Sequence, residues 1–242
     1  PPLQNAETPE HNAAAATTHA QRTPSAIFAG TKMVRRGNLT THMANQISST
    51  IKDVELDNRD DSGTPLTNPQ TGEVIYTPPV GQQLLQEKLK NWADFMQESK
   101  DIDPLVRMAV QHYQFEAIHP FTDGNGRTGR IMNILFLVQQ GLLDTPILYL
   151  SRHIIQNKGE YYRLLNEVTQ KQFWTPWIRY MLYGVEDTCI WTTDKIKAIR
   201  ELMQHTSQYV QKQLPKTYSW ELVEALFKQP YCRITNLVST GV

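Results

Sequence analysis

Apolar residues recur at helical spacing in several separate stretches of the chain. Met43, Ile47, Ile51 and Val54 fall three or four apart and predict a helix from Leu39 to about Leu56. Leu85, Leu89, Trp92 and Met96 form a second stripe. Asp103-Pro104 offers a cap and a first-turn proline for a third helix. Its face, largely apolar, carries Leu105, Met108, Ala109, His112, Phe115 and Glu116 and stops at His119-Pro120. A fourth helix is expected from about Thr128, with Ile131, Ile134, Leu135 and Val138 inward, ending at Gly141. Further helices are expected at about 158–170, 173–184 and 186–213.

One stretch reads as β. Between Gly63 and Gly81, Thr67 to Gly72 holds turn residues, and Glu73-Val74-Ile75-Tyr76-Thr77 holds strand formers that Pro78-Pro79 stops. A hairpin over 63–81 follows. Residues 1–38 are expected to be an N-terminal arm, mobile or discontinuous, because Asn12 to Thr18 is low in complexity. The pattern changes again past Pro215. Trp220, Val223, Leu226 and Phe227 predict a short helix, and Ile234 to Val238 opens another: either a plain helical tail or the start of a winged-helix-like segment over 216–242. The expected fold class is therefore all-α with one hairpin, its main domain spanning 39–215.

Composition narrows the function classes. Of the 242 residues, 40% are hydrophobic and 20% charged, which suffices for a folded core. Lys plus Arg and Asp plus Glu are 24 each, so the net charge is zero, which argues against wrapping nucleic acid by bulk electrostatics. Cys189 and Cys232 are too few for a disulfide framework and suit a reducing, cytoplasmic setting. No apolar run of about 18 residues is present, so no transmembrane helix is expected. Pro1-Pro2-Leu3-Gln4 shows no signal-peptide pattern, and a chain running from Pro1 to Val242 reads as trimmed at both ends.

The chemistry concentrates in His119-Pro120-Phe121-Thr122-Asp123-Gly124-Asn125-Gly126-Arg127-Thr128-Gly129-Arg130. Gly124, Gly126 and Gly129 spell a dinucleotide fingerprint, with Asp144 downstream, but a helix rather than a strand precedes them, which excludes a Rossmann site. No Gly-Lys-Ser/Thr follows, so it is not a P-loop either. What remains suits a di- or triphosphate. Gly-Asn-Gly can turn backbone N–H groups inward, the following helix adds its positive end, and Arg127 and Arg130 add two permanent charges. Asp123 supplies a hard oxygen of the kind Mg²⁺ takes, and His119 can accept a proton near neutral pH. Together these imply transfer of a phosphorus-containing group to a hydroxyl. Which phosphorus is attacked stays open at this point.

His119 to Arg130 resembles the signature of the Fic family, H-P-F-x-D/E-G-N-G-R-x-x-R, at every defined position. The likeness extends over roughly residues 60 to 200. It implies a Fic helical domain with the hairpin as its flap, and a protein adenylyltransferase that moves AMP from ATP to a Ser, Thr or Tyr hydroxyl of another protein or of itself. On that resemblance His119 is the base, Phe121 the loop anchor and Asp123 the Mg²⁺ ligand. Gly124, Asn125, Gly126, Arg127, Thr128, Gly129 and Arg130 form the nucleotide-binding run, and Tyr161 and Tyr162 line the adenine pocket. Gly72, Glu73, Val74, Ile75 and Tyr76 would hold the target segment as an added strand. Thr169 stands where some members carry an adenine-contacting Asn.

Many members also carry an inhibitory Ser/Thr-x-x-x-Glu-Gly/Asn helix whose Glu pairs with the second motif arginine. In Ser48-Ser49-Thr50-Ile51-Lys52-Asp53 a lysine takes the Glu position, which leaves Arg130 without that partner. Such a helix would then come from residues missing in the arm, or from another chain. The rival readings are another Fic-fold chemistry, namely AMP removal or phosphotransfer, and a DNA-binding regulator that keeps a nucleotide pocket. The second leans on Tyr231 to Val242 alone. A homodimer is compatible with all of them.

Overall fold

Small residues let the first helix approach its neighbours closely. The computed structural model describes residues 9–59, 66–67 and 74–228. Helix α1 spans Pro9–Val34 and packs against α2 (Thr41–Lys52) and α5 (Asn125–Gln139). Ala26, Thr31 and Val34 are buried, and a Cβ at Gly30 would lie 2.5 Å from Leu135 Cδ1. This corrects the expected arm: Ala26 and Gly30 let the helices approach closely, and periodicity of large side chains does not register such a contact.

Thr40 caps α2 by accepting from the Met43 amide at 3.2 Å. Met43, Ile47 and Ile51 are buried as expected, but α2 ends at Lys52 and Val54 lies beyond it, exposed. Strands β1 (Leu66–Thr67) and β2 (Val74–Tyr76) pair antiparallel, Leu66 opposite Tyr76 and Thr67 opposite Val74. The hairpin is thus confirmed at its paired ends; Gly72, Glu73 and the turn lie outside the described residues.

Helix α3 (Gln82–Glu98) buries all four expected residues, Leu85, Leu89, Trp92 and Met96. Asp103 caps α4 (Pro104–Ile118) by accepting from the Leu105 amide at 2.8 Å. Helices α6 (Leu150–Gln156) and α7 (Lys158–Lys171) follow α5, and α6 was not foreseen. Trp92, Phe115 and Phe121 pack at tilted angles through the core, with ring centroids 5.2 and 6.3 Å apart.

Helix α8 (Trp174–Gln213) runs unbroken through Gly184, where two helices were expected. A Cβ at Gly184 would meet His153 Cδ2 at 2.9 Å, so the glycine serves close packing and does not end the helix. The buried stripe Trp177, Met181, Gly184 and Thr188 ends where the first compact unit, Pro1–Thr188, gives way to the second, Cys189–Val242. The division therefore falls within α8 and not near Pro215. Within the second unit α9 (Trp220–Lys228) buries Leu222, Val223 and Ala225, while Trp220, expected inward, is exposed. Residues 234–238 lie outside the described residues. No helix among the described residues is long and apolar enough to cross a membrane.

Candidate active site

The turn between α4 and α5 is held from three sides. Helix α4 ends at His119 in the left-handed conformation, φ 51°, an uncommon state for a non-glycine residue. Phe121, 1% exposed, anchors the turn in the core. Asn125 staples it: its Oδ1 accepts from the Phe121 amide at 2.8 Å and its Nδ2 donates to the Phe121 carbonyl at 2.6 Å. Arg59, 4% exposed, closes the third side. Its Nε donates to the His119 carbonyl at 2.7 Å, and Nη2 donates to the carbonyls of Pro79 at 2.6 Å and Ile118 at 3.3 Å. This arginine ties the end of the hairpin to the histidine turn.

A cavity of about 570 Å³ opens against this turn. His119, Asp123, Gly124, Asn125, Gly126, Arg127 and Arg130 line one part, and Tyr113, Ile154, Ile155, Tyr162, Asn166 and Thr169 line another. The His119 ring Nδ1 lies 3.3 Å from the Glu116 carbonyl, which can only accept, so this contact favours the proton on Nδ1 and leaves Nε2 with its lone pair. Burial holds the imidazole below its usual range. His119 is therefore largely neutral at pH 7.

Gly124 sits at φ 87° and caps α5, whose first intrahelical bond runs from the Thr128 amide to the Gly124 carbonyl at 2.9 Å. The amides of Asn125, Gly126 and Arg127 thus head the helix, where an anion is favoured. The helix starts three residues before the expected Thr128, because the Asn125 staple already imposes helical geometry. Asp123 Oδ2 is bonded to Lys52 Nζ, and Arg127 Nη2 stands 3.6 Å away. The lysine bond is the main reason its carboxyl is held below the ordinary range.

Residues 35–137 match the Fic/DOC family, and residues 202–242 match the family described as protein adenylyltransferase SoFic-like, C-terminal domain. The chain carries a Fic domain. Its relatives include protein adenylyltransferase fic-1 of Caenorhabditis elegans, 34% identical over 105 residues, or 43% of this chain and 19% of that protein. Protein adenylyltransferase Fic of Nematostella vectensis is 34% identical over 116 residues, 47% of this chain and 25% of its own length. The chain thus spans about a fifth to a quarter of the relatives it matches. A Fic family protein from Desulfovibrio desulfuricans shares the fold, with a TM-score of 0.60 at 19% identity over 81% of this chain and 56% of that one.

Not every residue of the Fic motif reaches the cavity. Thr128 is fully buried and Gly129 faces α4, where a Cβ would meet Glu116 Oε1 at 2.9 Å; neither lines the cavity. Their place in the nucleotide-binding run is corrected to packing. Asn125 offers its amide, its side chain being engaged by the Phe121 backbone. Arg130 Nε donates to Ser151 Oγ, on α6, at 2.9 Å. Both tyrosines line the cavity: Tyr161 is buried with its hydroxyl 2.9 Å from His112 Nε2, and Tyr162 is exposed at the cavity wall. Thr169 is hydrogen-bonded to the Tyr113 hydroxyl at 3.0 Å.

Sequence reasoning missed Arg59, Ser151, Asn166 and Glu116. Asn166 lines the cavity with its Oδ1 buried and, among the described residues, unpartnered. Glu116 Oε1 is likewise buried without a partner. Burial pushes its carboxyl up to about 7, although the Arg130 charge opposes this. The ordinary value is 4.5, so between 4.5 and about 7 the folded chain keeps a proton that the unfolded chain has released. Stability attached to this group is therefore lost as pH rises through that window. Glu116→Gln should remove the loss: the variant is expected to gain on wild type, by up to about 3 kcal/mol, between about pH 5 and about pH 8 in urea denaturation. An unchanged difference across that range would show that Glu116 titrates normally.

Proposed function

We propose that this chain transfers AMP from ATP to a hydroxyl of a protein, another chain or itself, and releases pyrophosphate. The observation that carries this reading is the placement of neutral His119 on one cavity with the α5 N-terminus, Asp123, Arg127 and Arg130. The relatives' shared name, protein adenylyltransferase, supports it.

The amides of Asn125, Gly126 and Arg127 would receive the phosphates, and Arg127 and Arg130 would balance their charge. Among the described residues no group of three or more His, Cys, Asp or Glu could hold a metal alone. One carboxylate, Asp123, fits Mg²⁺ when phosphates and water complete the shell. When bound, Mg²⁺ would neutralise phosphate charge as it builds on the leaving group. The base would lie against Tyr162 and Ile155, its exocyclic amine donating to Asn166 Oδ1. Tyr161, more buried, lines the same wall.

In the transfer, the target hydroxyl oxygen bonds to the α-phosphorus while His119 Nε2 takes its proton. The bond from that phosphorus to the bridging oxygen breaks, and pyrophosphate leaves. The flap would present the hydroxyl. Tyr76 on β2 donates to the Ala117 carbonyl at 2.6 Å, which fixes that strand beside the histidine turn. We assign target binding to Gly72, Glu73, Val74, Ile75 and Tyr76. The unpaired thiol of Cys189 fits a reducing setting, and we place the protein in the cytoplasm.

ATP labelled on the α- or the γ-phosphate tests the reaction type. Label should enter protein from α-labelled ATP only. Entry from the γ-phosphate means phosphotransfer, and release of AMP from a modified protein without incorporation means removal. Because burial keeps His119 below its usual range, the transfer rate should be flat from about pH 7 upward and fall only on the acid side of about 6.5. A rate still rising between about pH 7 and 8 would point to a different base.

A further inference from the structure

The C-terminus of α2 delivers a cation to the phosphate cradle from outside the motif. Lys52, the last residue of α2, bonds through Nζ to Asp123 Oδ2, the oxygen that Arg127 Nη2 approaches at 3.6 Å. Its stem runs beside the α5 cap: a Cβ built on Gly124 would lie 3.8 Å from Lys52 Cδ and 4.0 Å from its Cγ. The helix end that aims it is pinned. Arg22 of α1 donates through Nη1 to the Lys52 carbonyl at 3.3 Å and through Nη2 to Asp53 Oδ2 at 2.8 Å. Ser49 Oγ accepts from the Leu56 amide at 3.0 Å, and Asp53 closes the helix in the left-handed conformation, φ 58°. The lysine is thus positioned by two helices and not by chance on a loose surface.

An ammonium and a divalent cation cannot share one carboxylate oxygen at low cost, since like charges a few ångströms apart repel strongly away from bulk water. If Asp123 takes a metal, Lys52 must leave Oδ2. The metal arrives with a triphosphate whose oxygens carry several negative charges, beside Gly124 and within reach of a flexible four-carbon stem.

We propose that Lys52 is a triphosphate-binding residue: its ammonium, bonded to Asp123, passes to a phosphate oxygen when the metal–nucleotide binds. The proposal rests on the reading of the cavity as an ATP site. It adds to that site a contact from α2, which lies before the flap and outside the twelve-residue motif.

Isothermal titration of the full chain with ATP plus Mg²⁺, with adenosine, and electron paramagnetic resonance with Mn²⁺ alone test it. Adenosine fills the aromatic part of the cavity without reaching Lys52. Lys52→Met, which keeps the stem and removes the charge, should weaken ATP–Mg²⁺ binding by about tenfold and leave adenosine binding unchanged. Lys52→Arg should restore most of the loss. Mn²⁺ alone should bind Lys52→Met as tightly as wild type or more tightly, because the competing ammonium is gone. Unchanged or tighter ATP binding by Lys52→Met would overturn the proposal and leave Lys52 as a counter-ion only. Equal loss for ATP and adenosine, with a lowered melting temperature, would overturn it in favour of a folding role. Wild-type protein that binds neither ligand would instead remove the nucleotide reading itself, and this contact with it.

Discussion

Replacing His119 with alanine is expected to lower AMP transfer by about 10²–10⁴-fold while ATP binding stays near wild type. Burial keeps the imidazole neutral at pH 7, and the Glu116 carbonyl favours Nε2 as the nitrogen with the lone pair. A neutral ring is a poor phosphate ligand but an able proton acceptor, so the loss should fall on the chemical step. Titration calorimetry with ATP and a single-turnover transfer assay separate the two. A variant that loses ATP binding in proportion to its activity would make His119 a binding residue and not the base.

Arg59→Ala should be the most damaging change outside the motif. Its guanidinium donates to the carbonyls of His119, Ile118 and Pro79, and the residue is 4% exposed. Removing it leaves buried acceptors without that donor, a loss of about 3 kcal/mol in stability. Transfer should fall further than stability alone explains, because a non-glycine residue in the left-handed region costs about 1–3 kcal/mol and holds there only while its surroundings enforce it. Arg59→Lys should recover little, since one ammonium cannot span three carbonyls as a planar fork does. Chemical denaturation and transfer assays under folding conditions check both parts. A stable, active Arg59→Ala would show that Asn125 and Phe121 hold the turn unaided.

The readable parts of this chain are those where one residue type at one spacing has one physical use. The stripe Leu85, Leu89, Trp92 and Met96 and the Asp103-Pro104 start predicted α3 and α4 because large apolar side chains and caps act locally. The motif brought His119, Asp123, Arg127 and Arg130 together for the same reason: its glycines and helix start are contiguous. Contacts between distant segments left no such trace. Helix α1 was hidden because Ala26 and Gly30 pack by being small. Arg59 sits in a polar stretch, Asp57-Asn58-Arg59, that looks like an ordinary solvated loop. Thr128 and Gly129 were overread, since a helix that begins at Asn125 turns those two positions away from the cavity. Lys52 stands out in the sequence only as a lysine where a glutamate is expected, yet α2 carries it to Asp123.

The central claim is that a protein hydroxyl attacks the α-phosphorus with His119 as base. Tandem mass spectrometry after incubation with ATP and Mg²⁺, alongside a pyrophosphate assay, tests it most directly. The expected result is an AMP adduct on a Ser, Thr or Tyr oxygen, matched by one pyrophosphate per adduct and absent with His119→Ala. A phosphate-sized adduct, or an AMP adduct that His119→Ala still forms at the wild-type rate, would contradict it.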